Sequence, residues 1–265
     1  MRLLILGSGG KLGAVLRRTW PDCGEIEPIW HGRTGGDLSF DIFERPALSD
    51  AISRCDAVFL LAGVTRERPG KPLSLNTTLA RATLDASQGK PVLLSSSAAV
   101  YGDQPHPLSE QTPPRPVSAY GRAKVEMEGL AAEYPNAFCL RIGNVAGADA
   151  LLGQGQRAFI LDQFEDGSVA QRSYIGPHAL AVACSTLAQT AVQGNLPKLM
   201  NIACPNPVGL NELLRHAGLS WTMTPAPAAA IKAVHLDTTR LQSLVPVTGG
   251  AAQIVADWQK MEQNR

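Results

Sequence analysis

Runs of apolar residues alternate along this chain with segments in which apolar residues recur every three or four positions. The first run, residues 3–6, meets a glycine-rich segment, and a helical spacing of apolar residues follows at Leu12, Val15, Leu16 and Trp20. A short apolar run bounded by glycines is typical of a buried strand, and a spacing of three or four residues is typical of a helix. The pattern therefore predicts a strand, a tight loop and a helix over the first 20 residues.

The same alternation continues through the rest of the chain. The further segments predicted as strands are 25–30, 57–61, 92–94, 137–142 and 198–202, and those predicted as helices are 44–53, 76–87, 119–134 and 178–192. Alternating strands and helices form a parallel sheet with helices on both faces. We therefore expect an α/β fold, a Rossmann-type doubly wound parallel sheet with a small C-terminal substrate-binding lobe.

Length and composition fit a folded protein with a substantial core. The chain has 265 residues, of which 45% are hydrophobic and 18% charged, and its formal net charge is +1. A chain of this size can bury enough apolar surface for one large α/β domain. The near-zero net charge argues against binding to nucleic acid or to an anionic membrane, so we expect a small-molecule partner.

Neither a membrane segment nor a metal site is expected from the sequence. No segment reaches 18 uninterrupted apolar residues, and the apolar run before the first glycine has only four, which predicts a cytoplasmic protein. The cysteines are scattered and form no C-x-x-C pair: they are Cys23, Cys55, Cys139, Cys184 and Cys204. This spacing argues against a disulfide framework and against a zinc site, and we expect small buried side chains.

The glycines after the first strand are spaced Gly7-x-x-Gly10-x-x-Gly13. Glycine lets backbone N–H groups and the positive end of a helix approach a pyrophosphate, which a Cβ would hinder. The spacing differs from the common G-x-G-x-x-G, and three glycines are also compatible with a plain strand-to-helix turn. Because the loop joins a predicted strand to a predicted helix, we interpret it as a dinucleotide site that includes Lys11 and Leu12.

Residues after the second predicted strand bear on the choice of cofactor. An acidic residue there binds the ribose 2′-hydroxyl of NAD, whereas an arginine accommodates the 2′-phosphate of NADP. No Asp or Glu stands at 30–36, and Arg33 lies in that segment. We therefore expect NADP in preference to NAD. The alternative is that Arg33 is an ordinary solvated loop residue.

Two further segments are candidates for contact with the cofactor. Asp41 and Ile42 follow a Gly-Gly turn, where Asp41 either lies beside the adenine or caps the helix predicted at 44–53. The segment Leu61-Ala62-Gly63 ends a continuous apolar strand. Small residues there leave room for a cofactor at the carboxyl end of the sheet.

Candidate catalytic residues follow the next strand. Ser97 ends a run of three serines at the edge where doubly wound sheets bind ligands, and Tyr120 and Lys124 share one face of the next predicted helix. A phenol, whose usual pKa is about 10, needs a nearby positive charge to move a proton near neutral pH. Lys124 would supply that charge while a serine hydroxyl binds the substrate oxygen. The alternative is a core tyrosine and a solvated lysine.

The order of these features resembles the short-chain dehydrogenase/reductase superfamily, and within it the extended branch, the NAD-dependent epimerase/dehydratase family of nucleotide-sugar enzymes. The resemblance covers nearly the whole chain and is carried by the glycine loop, by Asn76 and by the segments 61–63, 95–102, 120–124, 140–147, 172–175 and 201–203. It implies an NAD(P)-binding Rossmann domain over residues 1–147 that holds the catalytic residues. It also implies that residues 148–265 return strands and helices to the sheet and form the substrate lobe.

The resemblance implies roles for single residues. Tyr120 is expected as the acid/base, Lys124 as its modulator and a ribose ligand, and Ser97 as the contact to the substrate oxygen. Asn144 is expected to meet a sugar nucleotide and Arg172 its diphosphate, although Arg172 is equally compatible with an exposed structural arginine. The implied activity is transfer of a hydride between nicotinamide C4 and a carbinol or keto group, by an epimerase or a reductase.

Departures from the family pattern narrow this expectation. Dehydratases of the family carry acidic residues just after the strand-end serine or threonine, whereas this chain has Ala98 and Ala99, so dehydration is not expected. The segment after Arg172 reads Gly176-Pro177-His178-Ala179 where the family has a histidine followed by acids. The alternative function is an NADP(H)-binding sensor that has kept the fold and lost its substrate.

The resemblance also implies a homodimer formed through the helices at 76–87 and 119–134. Their apolar faces are equally compatible with an ordinary core.

Overall fold

The computed structural model describes residues 1–20, 26–153, 155 and 158–263. The strands in this part of the chain are β1 (Arg2–Leu6), β2 (Glu27–Gly32), β3 (Leu38–Ser39), β4 (Ala57–Leu60), β5 (Val92–Ser97), β6 (Ala137–Ile142), β7 (Asn144–Val145), β8 (Ala158–Gln163), β9 (Gln171–Arg172), β10 (Tyr174–Ile175), β11 (Leu199–Ile202), β12 (Val208–Gly209), β13 (Ser220–Pro225) and β14 (Ala233–Val234). The α-helices are α1 (Lys11–Thr19), α2 (Arg45–Ser53), α3 (Leu75–Ala86), α4 (Ala119–Ala131), α5 (Pro177–Val192), α6 (Leu210–Ala217), α7 (Thr239–Gln242) and α8 (Ala251–Gln263).

The central sheet has seven strands, all parallel, in the order β11-β6-β5-β4-β1-β2-β3. From β1 the chain moves outward through β2 and β3. It then returns to place β4 on the other side of β1 and moves outward again through β5, β6 and β11. The strand order therefore reverses between β1 and β4. In doubly wound sheets the ligand crevice lies at the carboxyl ends of the two strands that flank such a reversal.

Alternate residues of the central strands pack against two helical layers. In β1, Leu3 and Ile5 belong to a core with α1, α5 and α8, whereas Leu4 and Leu6 belong to a core with α2, α3 and α4. Successive side chains of a strand point to opposite faces, so a sheet covered on both faces needs apolar residues throughout. This requirement accounts for the continuous apolar runs of β1 and β4.

The chain after β6 contributes to the central sheet and also forms smaller sheets. Helix α5 leads to β11, which pairs with β6 at the sheet edge. The described strands that follow β6 in the chain, other than β11, form three small sheets. They are the pair β7 and β10, the three strands β12-β9-β14, and the pair β8 and β13. The division of the chain at residues 147 and 148 stays a prediction. No helix in the described ranges has both the length and the apolar character required to cross a membrane.

The predicted fold class is confirmed, and most predicted element ends agree within about two residues. Two ends differ by three residues: the strand predicted at 92–94 continues to Ser97 as β5, and the helix predicted over 119–134 ends at Ala131 as α4. Pro135 accounts for the earlier end, because a proline disfavours helical geometry at the residue before it. Two expectations, the strand start at residue 25 and the burial of Cys23, lie outside the described residues. The other four cysteines are buried.

Candidate active site

A cleft of about 890 Å³ opens at the carboxyl ends of the central strands, where the strand order reverses. Its walls come from the loop after β1, the loop after β4, the end of β5, the start of α4 and the segments around β7 and β9. The lining includes most of the residues expected from the sequence: Gly7, Gly10, Lys11, Leu12, Gly13, Leu61, Gly63, Ser97, Tyr120, Lys124, Asn144 and Arg172. The fold therefore brings the candidate cofactor and catalytic residues into one cleft.

Two of the loop glycines are required by the backbone itself. Gly7 has φ +94°, and a Cβ on it would lie 2.5 Å from the backbone nitrogen of Ala62. A Cβ on Gly13 would lie 2.5 Å from the Cα and carbonyl oxygen of Ser8. These contacts are too close for any side chain, so Gly7 lets the end of β1 approach the segment after β4, and Gly13 lets α1 approach the glycine loop.

The middle of the same loop is open towards the cleft. A Cβ on Gly9 would meet no atom within 4 Å, and one on Gly10 would meet only the Gly7 carbonyl oxygen at 3.5 Å. Gly10 is the N-cap of α1, and the first turn of α1 contains no acidic residue. The first N–H groups of a helix have no partner within it, and the helix dipole favours an anion there. This open cradle fits the pyrophosphate of a dinucleotide.

The segment after β2 contains a carboxylate that is already engaged by the backbone. The first acidic residue after this strand is Asp37, whose Oδ2 accepts a 2.9 Å hydrogen bond from the Trp30 backbone N–H. The Asp37 N–H donates in turn to the Trp30 carbonyl oxygen at 2.7 Å. Arg33 is exposed and is not among the described residues that line the cleft. It follows the carboxyl end of β2 directly, and β2 pairs with β1.

Asp41 and Ile42 lie apart from the described cleft lining. The Asp41 Oδ1 accepts a 3.0 Å hydrogen bond from the Phe43 N–H, so the carboxylate stabilises the turn before α2. The N-cap of α2 is Glu44 rather than Asp41. The Ile42 side chain is 4% exposed and packs in the core with α2 and α3. Their contact with a cofactor stays a prediction.

The loop after β4 is held against the cleft by Asn76. The Asn76 amide accepts from the Val64 N–H at 3.2 Å and donates to the Val64 carbonyl at 2.9 Å. A Cβ on Gly63 would lie 2.6 Å from the Asn76 Oδ1 and 3.6 Å from the Lys124 Nζ. Gly63 is therefore needed for α3 to approach this loop. Ala62 is partly buried and packs in the core with α2 and α3.

The three candidate catalytic side chains are joined through β5. The Lys124 Nζ donates a 2.6 Å hydrogen bond to the Ser95 carbonyl oxygen and lies 5.7 Å from the centre of the Tyr120 ring. Ser97 lies close enough to Tyr120 to lower the pKa of its phenol. The Ser97 Oγ also accepts from the Ala99 N–H at 3.2 Å, which caps the short 3₁₀ helix Ala98–Val100. The strand end and the first turns of α4 thus assemble the predicted trio.

Burial controls the acidity of these groups. It raises the pKa of the Tyr120 phenol, and the nearby Ser97 side chain opposes that rise. It lowers the pKa of the Lys124 ammonium to about 8, against the opposing effects of Cys139 and Glu128. A lysine with this pKa is mostly protonated at neutral pH. It therefore places a positive charge beside a phenol that needs one to release a proton.

A buried polar network also holds β5 in place. The Glu128 carboxylate accepts a 2.5 Å hydrogen bond from the Ser96 Oγ and forms an ion pair with the Arg141 guanidinium at 2.7 Å. The Arg141 guanidinium also donates to the Tyr101 hydroxyl at 3.0 Å, and that hydroxyl donates to the Asn201 Oδ1 at 2.7 Å. These contacts fix Ser96 to Glu128 of α4 and, through Glu128, to Arg141 of β6.

Asn144 and Arg172 lie at the end of the cleft formed by β7 and β9. The Arg172 guanidinium donates to the backbone carbonyls of Gln171, Ile231 and Lys232. In the described part of the chain no acidic side chain forms an ion pair with Arg172. Burial lowers the pKa of Arg172. Backbone carbonyls therefore hold this arginine in place at the cleft.

The segment Gly176-Pro177-His178 has a structural role in the described chain. It begins α5, and the Asp257 Oδ2 accepts hydrogen bonds from the His178 and Ala179 N–H groups at 3.0 and 3.3 Å. A Cβ on Gly176 would lie 2.2 Å from that oxygen. Where the sequence departs from the family pattern, Asp257 of α8 therefore caps the first turn of α5.

Several residues of the cleft were not predicted from the sequence as site residues. The carbonyl of Ser95 binds Lys124, and the loop after β4 adds basic side chains at Arg66, Arg68 and Lys71. Asp149 also lines the cleft, in the turn after β7. Its position just beyond the end of a parallel strand was a usable signal, since ligands bind at that edge.

Comparison with known families and sequences agrees with this geometry. Residues 3–167 match the model of the NAD dependent epimerase/dehydratase family. The UDP-glucose 4-epimerase of Azospirillum brasilense is 31% identical over 216 residues, covering 70% of this chain and 57% of that protein. A putative UDP-arabinose 4-epimerase of Arabidopsis thaliana is 30% identical over 163 residues, covering 57% and 39%. The chain thus matches only part of the length of these relatives.

Solved structures share the fold over the whole chain. The UDP-glucose 4-epimerase of Stenotrophomonas maltophila, solved with bound NAD and formylated UDP-arabinopyranose, superposes with a TM-score of 0.81. The superposition covers 99% of this chain and 98% of that one, at 20% sequence identity. At this identity the likeness shows the shared fold.

Proposed function

The chain belongs to the NAD dependent epimerase/dehydratase family, and from this premise we propose that it is an NAD(P)-dependent epimerase or reductase that acts on a carbinol or keto carbon of a nucleotide sugar. The observation that carries the proposal is the grouping of Ser97, Tyr120 and Lys124 at the cleft. All three line the cleft, the Lys124 Nζ lies 5.7 Å from the centre of the Tyr120 ring, and a hydrogen bond ties Lys124 to β5. A sensor needs the glycine cradle but has no use for such a proton-transfer group.

The protein side of the reaction follows from this grouping. Ser97 binds the substrate oxygen, and Tyr120 gives that oxygen a proton or takes one from it. The Lys124 ammonium stabilises the phenolate, because its positive charge lies within 5.7 Å of the ring centre. The bound nicotinamide supplies the hydride-transfer chemistry. The absence of acidic side chains at Ala98 and Ala99 argues against elimination of water.

The residues that would hold the dinucleotide are those of the glycine cradle, the Leu61-Ala62-Gly63 segment and Lys124. We propose NADP as the preferred form, with Arg33 at the 2′-phosphate. The support is that residues 30–36 contain no acid and that Asp37, the next carboxylate, is occupied by the Trp30 N–H. The epimerase of Stenotrophomonas maltophila was solved with NAD, so NAD is the alternative that the cofactor measurement must test.

A nucleotide sugar is the proposed substrate because the cleft offers cationic side chains beyond those near the glycine cradle. Arg172 has no acidic partner in the described residues, and Arg66, Arg68 and Lys71 lie along the loop after β4. These groups would bind the diphosphate, and Asn144 the sugar. The homodimer and the cytoplasmic location stay predictions.

Turnover on a defined panel tests the proposal. The purified protein is incubated with NAD⁺, NADP⁺ or their reduced forms and with UDP-, dTDP- and GDP-sugars, and products and reduced nicotinamide are quantified. Sugar interconversion without net cofactor change identifies an epimerase, whereas stoichiometric cofactor oxidation or reduction identifies a reductase. Cofactor binding without Tyr120-dependent turnover on any member of the panel would overturn the proposal in favour of a sensor.

A further inference from the structure

One carboxyl group at the cleft has no part in the proton transfer described above. Asp149 lies in the turn after β7, where its N–H donates to the Val145 carbonyl at 3.1 Å. Its Oδ1 accepts a 2.9 Å hydrogen bond from the Leu152 N–H, and its Oδ2 accepts one from the Tyr174 hydroxyl. The side chain is therefore fixed at both oxygens while the residue still lines the cleft.

Asp149 is linked to the expected substrate contact through Tyr174. Strands β7 and β10 pair with Tyr174 directly opposite Asn144, and the Asn144 side chain lies close enough to lower the pKa of the Tyr174 phenol. Tyr174 is 1% exposed and lies beneath the cleft surface. Asn144 and Asp149 both line the cleft. A rigid polar platform thus forms the end of the cleft beside Arg172.

The charge of this platform sets it apart from the rest of the cleft. Among the described lining residues, Asp149 is the one acidic side chain, and the charged side chains besides it are Lys11, Arg66, Arg68, Lys71, Lys124 and Arg172. No basic side chain in the described ranges forms an ion pair with Asp149. A carboxylate oxygen can accept two hydrogen bonds, so Oδ2 retains acceptor capacity beyond its bond from Tyr174. A substrate hydroxyl can donate a hydrogen bond to this oxygen, whereas the negative charge of the carboxylate would repel a phosphate.

We propose that Asp149 determines specificity by accepting a hydrogen bond from a hydroxyl group of the substrate's sugar. This end of the cleft then selects an uncharged, hydroxylated ring attached to the diphosphate. The inference rests on the proposed function for the choice of ligand class. It concerns binding, so it is tested separately from hydride transfer.

The substitution Asp149→Asn isolates the acceptor. The Leu152 N–H needs an acceptor, which directs the amide oxygen to the Oδ1 position and the NH₂ group to the Oδ2 position. The cleft then presents a donor where the carboxylate accepted. Titration calorimetry of the cofactor-saturated protein compares UDP, dTDP and GDP with UDP-glucose, dTDP-glucose and GDP-mannose. We expect sugar-nucleotide affinity to fall about tenfold in the variant while affinity for the nucleoside diphosphate stays unchanged.

Two matched variants separate this role from a structural one. Asp257→Asn alters another partly buried carboxylate, which accepts two backbone N–H groups but is not among the described cleft residues, and it is expected to leave both affinities unchanged. Tyr174→Phe removes the partner of Asp149 and keeps the carboxylate, so the extra affinity for the sugar should persist. An equal loss in Tyr174→Phe and Asp149→Asn would assign Asp149 to holding Tyr174 and would overturn the inference.

The remaining outcomes distinguish this inference from the proposed function. Full sugar-nucleotide affinity in Asp149→Asn overturns the inference and leaves the proposed function intact. Sugar binding that depends on Asp149, without any turnover, supports the inference and counts against the proposed function. Failure of every sugar nucleotide to bind the unaltered protein more tightly than its nucleoside diphosphate overturns the inference, while turnover on the panel still decides the function.

Discussion

The Lys124 ammonium donates a 2.6 Å hydrogen bond to the carbonyl oxygen of Ser95, two residues before Ser97. This contact links α4, which carries Tyr120, to the strand end that carries the serine. It also gives a buried charge a fixed partner in a place from which water is largely excluded. The relationship explains how a lysine can lie in the interior and still supply positive charge to the cleft.

The phenol of Tyr120 is expected to move the proton. Tyr120→Phe should lower the turnover rate by about 10²–10⁴-fold, the usual contribution of general acid/base catalysis. Cofactor affinity should stay nearly unchanged, because the ring and the Lys124 charge remain. Turnover and calorimetric cofactor titration on the same preparation provide the measurement, and retained turnover would remove Tyr120 from the mechanism.

Arg33 is expected to distinguish the two dinucleotides. Arg33→Ala should weaken NADP(H) binding about tenfold, the worth of one hydrogen bond to a charged group, and change NAD(H) binding little. Arg54→Ala is the control, since Arg54 is also exposed and pairs with Asp50 in an i,i+4 contact. Calorimetric titration measures both cofactors, and equal losses for NADP(H) and NAD(H) would show that Arg33 does not read the phosphate.

Burial of Lys124 should be visible in the pH dependence of stability. Its pKa is lowered from 10.5 to about 8, so between these values the unfolded chain holds more protons than the folded one. The contribution of Lys124 to folding stability therefore rises with pH through this window, and the penalty for its burial is greatest below it.

Lys124→Met removes this titration. The difference in free energy of unfolding, native minus variant, should rise by up to about 3 kcal/mol between pH 7.5 and 10.5. Urea unfolding across this range measures it, with Lys71→Met as a control for the loss of an exposed lysine. A difference that is flat with pH would mean that the pKa of Lys124 is not lowered.

The loop glycines should separate into structural and ligand-facing positions. Gly13→Ala should destabilise the fold by about 1–3 kcal/mol, because its Cβ would lie 2.5 Å from Ser8 backbone atoms. Gly9→Ala should keep the stability of the unaltered protein and weaken dinucleotide binding, because its Cβ would occupy open space at the cleft. Thermal unfolding with and without cofactor measures both effects. Similar stability losses in the two variants would contradict this division.

The ion pair between Glu128 and Arg141 should be a sensitive point of the core. Glu128→Gln leaves the Arg141 charge buried without a full counter-charge, so we expect a loss of about 3–5 kcal/mol of folding free energy. The exposed pair of Arg54 and Asp50 gives the comparison, since Asp50→Asn should cost less than about 1 kcal/mol. Urea unfolding at constant pH measures both, and equal losses would be inconsistent with the burial of the first pair.

The amino-acid sequence was sufficient to predict the alternation of elements, the glycine loop and the trio of candidate catalytic residues. These features are local: an apolar run, a glycine spacing and two residues one helical turn apart each carry their own signal within a few positions. The parallel sheet followed from that alternation, because a helix that crosses over the sheet between two strands lets them run in the same direction.

Which polar groups share an environment became clear from the three-dimensional fold. The engagement of Asp37 by Trp30, the contact of Lys124 with Ser95 and the hydrogen bond from Tyr174 to Asp149 join residues on different elements. No local pattern encodes such contacts, since they depend on strand order, on register and on how far each helix lies from the sheet. For the same reason the sequence indicated the candidate site of hydride transfer. Asp149, the residue proposed to select the sugar, was recognised only from the fold.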